Sequence, residues 1–289
     1  MSHPPVTRSP ITSPTNERVK AAVRLRDRRE RVRTGLTIVD GARELRRAIE
    51  AGVRVDTLFL TDSGPGTPDA KWVLADLGGA RSPAVVAVSE PVFAKIAYGD
   101  RHDGLVGIVG IPSVQLDALV VGPDPLIVVV DGVEKPGNLG AILRSADGAG
   151  VDAVLLTDSR TDPFNPNAIR ASLGTVFGTR LAVADPASAI AWLRGHDVRL
   201  VTAEVEAPRF HTEADLTGAL AIVVGSESDG LGPAWLETER EAVRIPMRGR
   251  ADSLNVSVAT AILLYEARRQ RDRATVADTG VAGASGGPA

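Results

Sequence analysis

Three polar stretches, each following an apolar run, hold the residues best suited to chemistry. The first is Asp131-Gly-Val-Glu-Lys-Pro-Gly-Asn-Leu-Gly140, which runs on to Arg144. The second is Gly225-Ser-Glu-Ser-Asp-Gly-Leu-Gly232. The third leads from Pro246 to Asn255 and contains Arg248, Arg250, Asp252, Ser253 and Asn255. In open parallel sheets, ligands bind beyond the carboxyl ends of the strands. Glycine there lets the backbone approach a ligand closely or take a positive φ. Amide, guanidinium and carboxylate groups beside such glycines therefore point to ligand binding at strand ends.

Composition excludes other chemistries. The chain has no cysteine, which rules out disulfides, thiolate zinc sites, iron–sulfur clusters and a cysteine nucleophile. The four histidines, His3, His102, His196 and His211, are scattered without metal-ligand spacing. They argue against a metal and against a Ser-His-Asp triad. Gly137 and Gly140 follow a strand, and Asp158 lies where a ribose-binding acid of a dinucleotide fold would fall. The third glycine of that fingerprint is missing, however, and Lys135-Pro136 occupies the tight turn, so the match is weak. No phosphate-binding P-loop is present.

The elements that must position these loops alternate between strand and helix. In the first hundred residues the patterning predicts a helix from Asn16 to Arg33, a strand at 37–39 and a helix from Ala42 to Ala51. Strands at 57–60, 84–88 and 105–111 follow, with helices at 70–77 and 91–96 and a loop at 64–68. Pro112 to Asp124 reads as a boundary. A second series then begins with Leu126 to Val130, a continuous apolar run as a buried parallel strand requires. Gly132 to Gly140 reads as a turn. A helix at 141–149, a strand at 153–157, a helix at 167–173, a strand at 180–183 and a helix at 187–193 come next. Strands at 199–203 and 220–224 precede a last strand through Val243 and Ile245. A helix from Val256 to Leu264 is apolar on nearly every face, with Asp252 or Ser253 as its cap. Such a helix must be buried all round, in a core or a subunit interface. The pattern predicts a parallel sheet covered on both faces. Residues 1–15 and the tail from Ala274 read as disordered.

At 289 residues the chain suits two domains. No apolar run approaches the roughly 20 residues of a membrane helix, and no signal-peptide h-region is present, which places the protein in the cytoplasm. Net charge is −3 but unevenly spread. Residues 1–35 hold nine Lys/Arg against three Asp/Glu, and the remainder 24 against 33. A basic arm on an acidic body suits phosphate binding at one place. A solvated charged helix accounts for the same charges. Aromatic residues are only 3% of the chain, so base stacking contributes little to any nucleic-acid binding.

Taken together, the three loops are specific. They read Pro136-x-Asn138-x-Gly140-x-x-x-Arg144, then Ile222-Val-Val-Gly225-Ser-Glu227-x-x-Gly230-Leu231, then Ile245-Pro246-Met247 with Ser253-Leu254-Asn255-Val256-Ser257. In order and spacing they resemble the three motifs of the SpoU (TrmH-type) branch of the SPOUT RNA methyltransferases, over residues 125–270. Arg170-Ala-Ser-Leu-Gly174 resembles the family's stretch between the first and second motifs. The module at 16–112, with Asp40-Gly41 entering its first long helix, is similar to the substrate-binding domain that often precedes them, a ribosomal-protein RNA-binding fold. Lys135 departs from the Asn or Asp common before the motif proline.

The resemblance implies an α/β fold whose parallel sheet ends in a C-terminal trefoil knot. It implies domains at 16–112 and 125–273 joined by a linker at 113–124. It also implies a homodimer, S-adenosylmethionine (SAM) as cofactor and a ribose 2′-hydroxyl of RNA as methyl acceptor, with ribosomal RNA favoured over transfer RNA. Gly225, Ile245 and Leu254 fall on positions lining the cofactor pocket; in a plain core, the two aliphatic residues would simply pack. Arg144 falls on the catalytic and RNA-contacting position, where it acts as a base or holds the phosphate beside the acceptor ribose and stabilises the developing alkoxide. The plain alternative is a surface arginine pairing with Asp147. Asn138, Glu227, Ser253 and Asn255 fall on positions that orient that arginine or contact the ribose-phosphate. Arg170 is a phosphate contact in this reading, or a salt-bridge residue on its helix. Two further classes are a non-catalytic RNA-binding or ribosome-assembly protein on the same fold, and a nucleotide-dependent oxidoreductase.

Overall fold

The computed structural model describes residues 9–61, 66–77, 83–97 and 103–281. In chain order the elements are α1 (Glu17–Arg24), α2 (Arg28–Thr34), β1 (Leu36–Asp40), α3 (Ala42–Glu50), β2 (Val55–Thr61), α4 (Pro68–Asp76), β3 (Ala84–Val88), α5 (Glu90–Ile96) and β4 (Leu105–Gly110). They continue as β5 (Leu126–Asp131), α6 (Pro136–Gly148), β6 (Ala153–Thr157), α7 (Pro166–Ala171), β7 (Leu181–Ala184), α8 (Pro186–Gly195) and β8 (Arg199–Ala203). The last are β9 (Arg209–Phe210), β10 (Leu220–Val224), α9 (Pro233–Leu236), β11 (Glu241–Arg244) and α10 (Val256–Val281). The chain forms two compact units. One comprises residues 1–113 and 161–178, the other 114–160 and 179–289.

In the first unit a four-stranded sheet has the order β1-β4-β2-β3. β4 runs antiparallel to both β1 and β2, while β2 and β3 are parallel. Val19 and Ala22 of α1 pack with Phe59, Val86, Val92 and Phe93 in its core. The single helix expected over 16–33 is broken in two. Asp27 accepts from the Arg29 N–H at 2.8 Å and caps a second helix. Residues 9–15, expected to be disordered, hold Ile11 against the edge of β3, with Ile11 N–H donating to Ala87 at 2.8 Å and Ser89 N–H to Ile11 at 3.1 Å. Residues 1–8, 62–65 and 282–289, on which parts of the expected loop and termini fall, lie outside the described residues.

The segment 161–178 belongs to this first unit although it lies between β6 and β7 in sequence. Asp162 pairs at 2.7 Å with Arg31, which is only 1% exposed and also donates to the carbonyls of Leu25 and Arg26. Thr37 Oγ1 donates to the Phe164 carbonyl at 2.8 Å, and Arg47 to that of Leu173 at 2.8 Å. Gly174 lies so close to Glu44 that a Cβ there would meet its Cα at 2.8 Å. Phe164, Ile169 and Phe177 of the segment are all buried, a hydrophobic load that loop patterning does not reveal.

The second unit is a seven-stranded, all-parallel sheet in the order β7-β6-β5-β10-β8-β11-β9. Its central strands β5 and β10 are buried along their whole length, as their unbroken aliphatic runs require. Ile127, Val129, Leu155, Ala221, Val223 and Trp235 form the core on one face. α10 packs against α6 and β10. Because Val130 pairs with Val224 and Asp131 with Thr157, β5, β6 and β10 all end on one edge. β11 runs parallel to β8, so its carboxyl end faces the same way.

One helix start and one helix cap differ from expectation in ways that bear on the loops. α6 begins at Pro136, where proline suits the first turn, so Asn138 and Arg144 share one helix instead of standing in a turn and a helix. α10 begins at Val256, and its cap is neither Asp252 nor Ser253. The Asn255 side-chain oxygen accepts from Ser257 N–H at 3.0 Å and from the Ser257 hydroxyl at 2.6 Å. α10 also continues past Leu264 through an Arg- and Ala-rich stretch that favours helix, and it ends at Val281, beyond the expected break at Ala274. The two-residue β9 carries too short a pattern to anticipate.

Candidate active site at the carboxyl edge of the parallel sheet

Hydrogen bonds between side chains join the three loops. Asn138, on the first turn of α6, donates from Nδ2 to Glu227 Oε1 in the loop after β10. Asn255, at the cap of α10, donates from Nδ2 to Asn138 Oδ1 at 3.2 Å. One amide thus bridges the carboxylate of the second loop and the end of the third. Asn138 is half-buried, while Glu227 and Asn255 are exposed. The bridge faces solvent and is open to a polar ligand.

Arg144 stands apart from this bridge. It lies six residues beyond Asn138, roughly 9 Å along the helix axis and on a different face. It is exposed, and within this chain it makes no hydrogen bond or ion pair with Asp147, Glu227 or any other described residue. Ser253 is likewise exposed in the third loop. Arg170 sits on α7 in the other unit, half-buried and engaged in interactions of its own.

The loop after β10 is a compact turn. Ser226 and Gly230 exchange backbone hydrogen bonds at 2.9 and 3.2 Å, and Asp229 N–H donates to Ser226 Oγ at 3.0 Å. Gly225 has no room for a side chain, since a Cβ would fall 2.2 Å from the Gly230 carbonyl. Ile245, Met247 and Leu254 are half-buried, not sunk in the core. They leave partly exposed apolar surface in the third loop, of the kind a small-molecule pocket uses. Among the described residues no group of three or more His, Asp or Glu could hold a metal ion.

One element at this edge escapes sequence reasoning. The Asp131 carboxylate, 3% exposed, accepts from Thr157 Oγ1 at 2.7 Å and from Gly232 N–H at 2.9 Å. An acid closing an otherwise aliphatic strand was the available signal.

Residues 125–265 match the SpoU rRNA Methylase family, and residues 16–107 match the MRM3-like substrate binding domain. The 23S rRNA (uridine(2479)-2'-O)-methyltransferase of Streptomyces viridochromogenes is 30% identical over 261 residues, covering 88% of this chain and 90% of that protein. The chain belongs to the SpoU family. A crystal structure of an RNA 2'-O ribose methyltransferase is 42% identical with a TM-score of 0.81, covering 91% of this chain and 99% of that one. The SpoU methyltransferase AviRb from Streptomyces viridochromogenes, solved in complex with the cofactor AdoMet, is 28% identical with a TM-score of 0.80 over 88% of this chain and 98% of its own. As a SpoU protein with a substrate-binding module, the chain carries the family's three motifs on the loops that meet at Asn138.

Proposed function

We propose that this protein transfers the methyl group of SAM to a ribose 2′-hydroxyl of ribosomal RNA. The observation that carries this reading is the bridge from Glu227 through Asn138 to Asn255, which gathers the three family motifs at one edge of the sheet. Kinship with ribosomal RNA 2′-O-methyltransferases supports the same substrate class. The intact polar bridge weighs against a merely structural RNA-binding protein on this fold.

The residues present fit SAM. Gly225 allows the backbone turn, and half-buried Ile245 and Leu254 offer apolar walls. SAM supplies an electrophilic methyl on sulfur. The chain must place the acceptor hydroxyl in line with that methyl and stabilise the oxygen as its proton leaves. Arg144, exposed and uncommitted, is suited to hold the phosphate beside the acceptor ribose with its guanidinium fork. Asn138, Glu227, Ser253 and Asn255 hold the ribose-phosphate, and Arg170 gives a further phosphate contact.

The protein acts as a homodimer in this reading. Val258 and Tyr265, one helix face of α10, are 47% and 54% exposed, an unusual cost for the apolar helix that the sequence requires to be covered. The family resemblance implies that the arginine of one subunit works with SAM held by the other, which would account for the separation of Arg144 from Asn138 within one chain. The remaining proposals are a trefoil knot formed by the C-terminal segment, an RNA-binding domain at 16–112 joined by a 113–124 linker to a catalytic domain at 125–273, and a cytoplasmic location. No helix among the described residues is long and apolar enough to cross a membrane.

The test is methyl transfer from labelled SAM to ribosomal RNA by the full chain, beside Arg144→Ala. The variant is expected to lose transfer and to keep SAM affinity within about twofold. Normal turnover by Arg144→Ala would remove it from the mechanism, and absence of transfer by the wild type to any ribosomal RNA would refute the function.

A further inference from the structure

Among the links that tie the loops together at the sheet edge, one differs in kind. The contacts of Asn138 with Glu227 and Asn255 involve exposed side chains. Exposed hydrogen bonds exchange with water and contribute little net order. The link from Asp131 to Gly232 is dry. Its carboxylate is 3% exposed, and its other oxygen is fixed by Thr157, which is fully buried. Burial keeps water from competing for these hydrogen bonds, and losing one partner strands the other.

The position of this link matters as much as its strength. The 225–232 loop is stiff within itself, closed by the Ser226–Gly230 pair and by the tight contact of Gly225 with Gly230. It leaves the sheet at β10, and Gly232 at its far end is held by Asp131 on the neighbouring strand β5. A Cβ on Gly232 would stand 3.1 Å from Asp131 Oδ2, so the approach is close. Gly132, the residue after Asp131, takes φ +67 and backs against Ser226 at the near end of the same loop. Both ends of the loop therefore rest on the carboxyl end of β5.

We propose that Asp131 is a positioning residue for the cofactor: its carboxylate holds the loop carrying Gly225 and Glu227 in place against β5 before SAM arrives. Without it, the loop is free to shift on the sheet edge and SAM must fix its placement as it binds, which lowers affinity by the cost of that immobilisation. Asp131 touches neither methyl donor nor acceptor. This inference rests on the methyltransferase reading of the site.

Calorimetric titration of the full-length protein with SAM tests it, because affinity and number of sites are read separately. Wild type is measured first, and no SAM binding by it would end the methyltransferase reading and this inference with it. Given binding by the wild type, Asp131→Ala is expected to raise Kd about tenfold with an unchanged number of sites. A change below fivefold, or a reduced number of sites at unchanged Kd, overturns the proposal, the latter being the mark of partial unfolding alone. Asp131→Asn should bind within about threefold of wild type. Its amide can offer oxygen to the Gly232 N–H and nitrogen to the Thr157 hydroxyl, keeping both contacts. An Asn variant as weak as the Ala variant would also overturn the hydrogen-bond account. Should Asp131→Ala not fold, Thr157→Val frees the carboxylate to turn while preserving shape. A Kd raised at least twofold then supports the proposal, and a smaller change overturns it.

Discussion

Gly225→Ala is a single-methyl test of whether the loop after β10 forms the cofactor site. A methyl built on Gly225 lies 2.2 Å from both the carbonyl carbon and oxygen of Gly230 and 2.5 Å from the Leu231 nitrogen. Ordinary contact starts at about 3.4 Å, so the backbone opposite must retreat by about 1.2 Å. All three atoms are backbone, and no rotamer change relieves the overlap. The Ser226–Gly230 hydrogen bonds resist opening of the turn, and Gly232 is held by Asp131. Overpacking of this kind costs about 1–3 kcal/mol. Carried as distortion of the loop, that becomes roughly a 5- to 150-fold loss of SAM affinity at 1.4 kcal/mol per tenfold. Calorimetric titration with SAM, paired with thermal unfolding of the same sample, reads both destinations of the strain. Affinity is expected to fall by about tenfold or more while the protein stays folded. A Kd within twofold of wild type would refute the claim that this loop shapes the pocket.

Other consequences are equally open to measurement. Val258→Glu introduces a charge at an exposed helix position, where effects on the isolated fold are within about 0.5 kcal/mol; light scattering should show a shift from dimer to monomer, and an unchanged mass would place the interface elsewhere. Asp162→Ala strands the buried Arg31 guanidinium, an uncompensated charge worth about 3–5 kcal/mol, so calorimetry should record a melting temperature lower by roughly 10 °C; a shift under 2 °C would show that the pair does not hold the 161–178 segment. Glu266, hydrogen-bonded chiefly by Arg269, has its carboxyl pulled down from 4.5 to about 2. Its contribution is therefore complete above pH 4.5 and lost as pH falls through about 2. Arg269 is 45% exposed, so screening holds the effect to about 1 kcal/mol. Glu266→Gln should flatten the acid limb of the stability profile between those values, and a limb parallel to wild type would refute it.

The sequence by itself determined the strand–helix alternation, and with it most of the sheet, because aliphatic runs such as 126–130 and 220–224 have no stable place except inside a covered parallel sheet. Resemblance to the SpoU motifs also singled out Asn138, Arg144, Gly225, Glu227 and Asn255 as candidates. Helix starts were less legible. α6 begins at Pro136, earlier than periodicity suggests, while α10 begins at Val256 as expected but is capped by Asn255, since caps and first turns are polar and share residues with loops. Tertiary structure alone decided three things. It assigned 161–178 to the first unit, because a buried Arg31–Asp162 pair and a glycine–backbone contact leave no local pattern. It separated Arg144 from the Glu227–Asn138–Asn255 bridge, because six helical residues turn the two side chains to different faces. It gave Asp131 its place beneath the second loop, because its partner Gly232 lies 101 residues away and only the pairing of β5 with β10 brings them together.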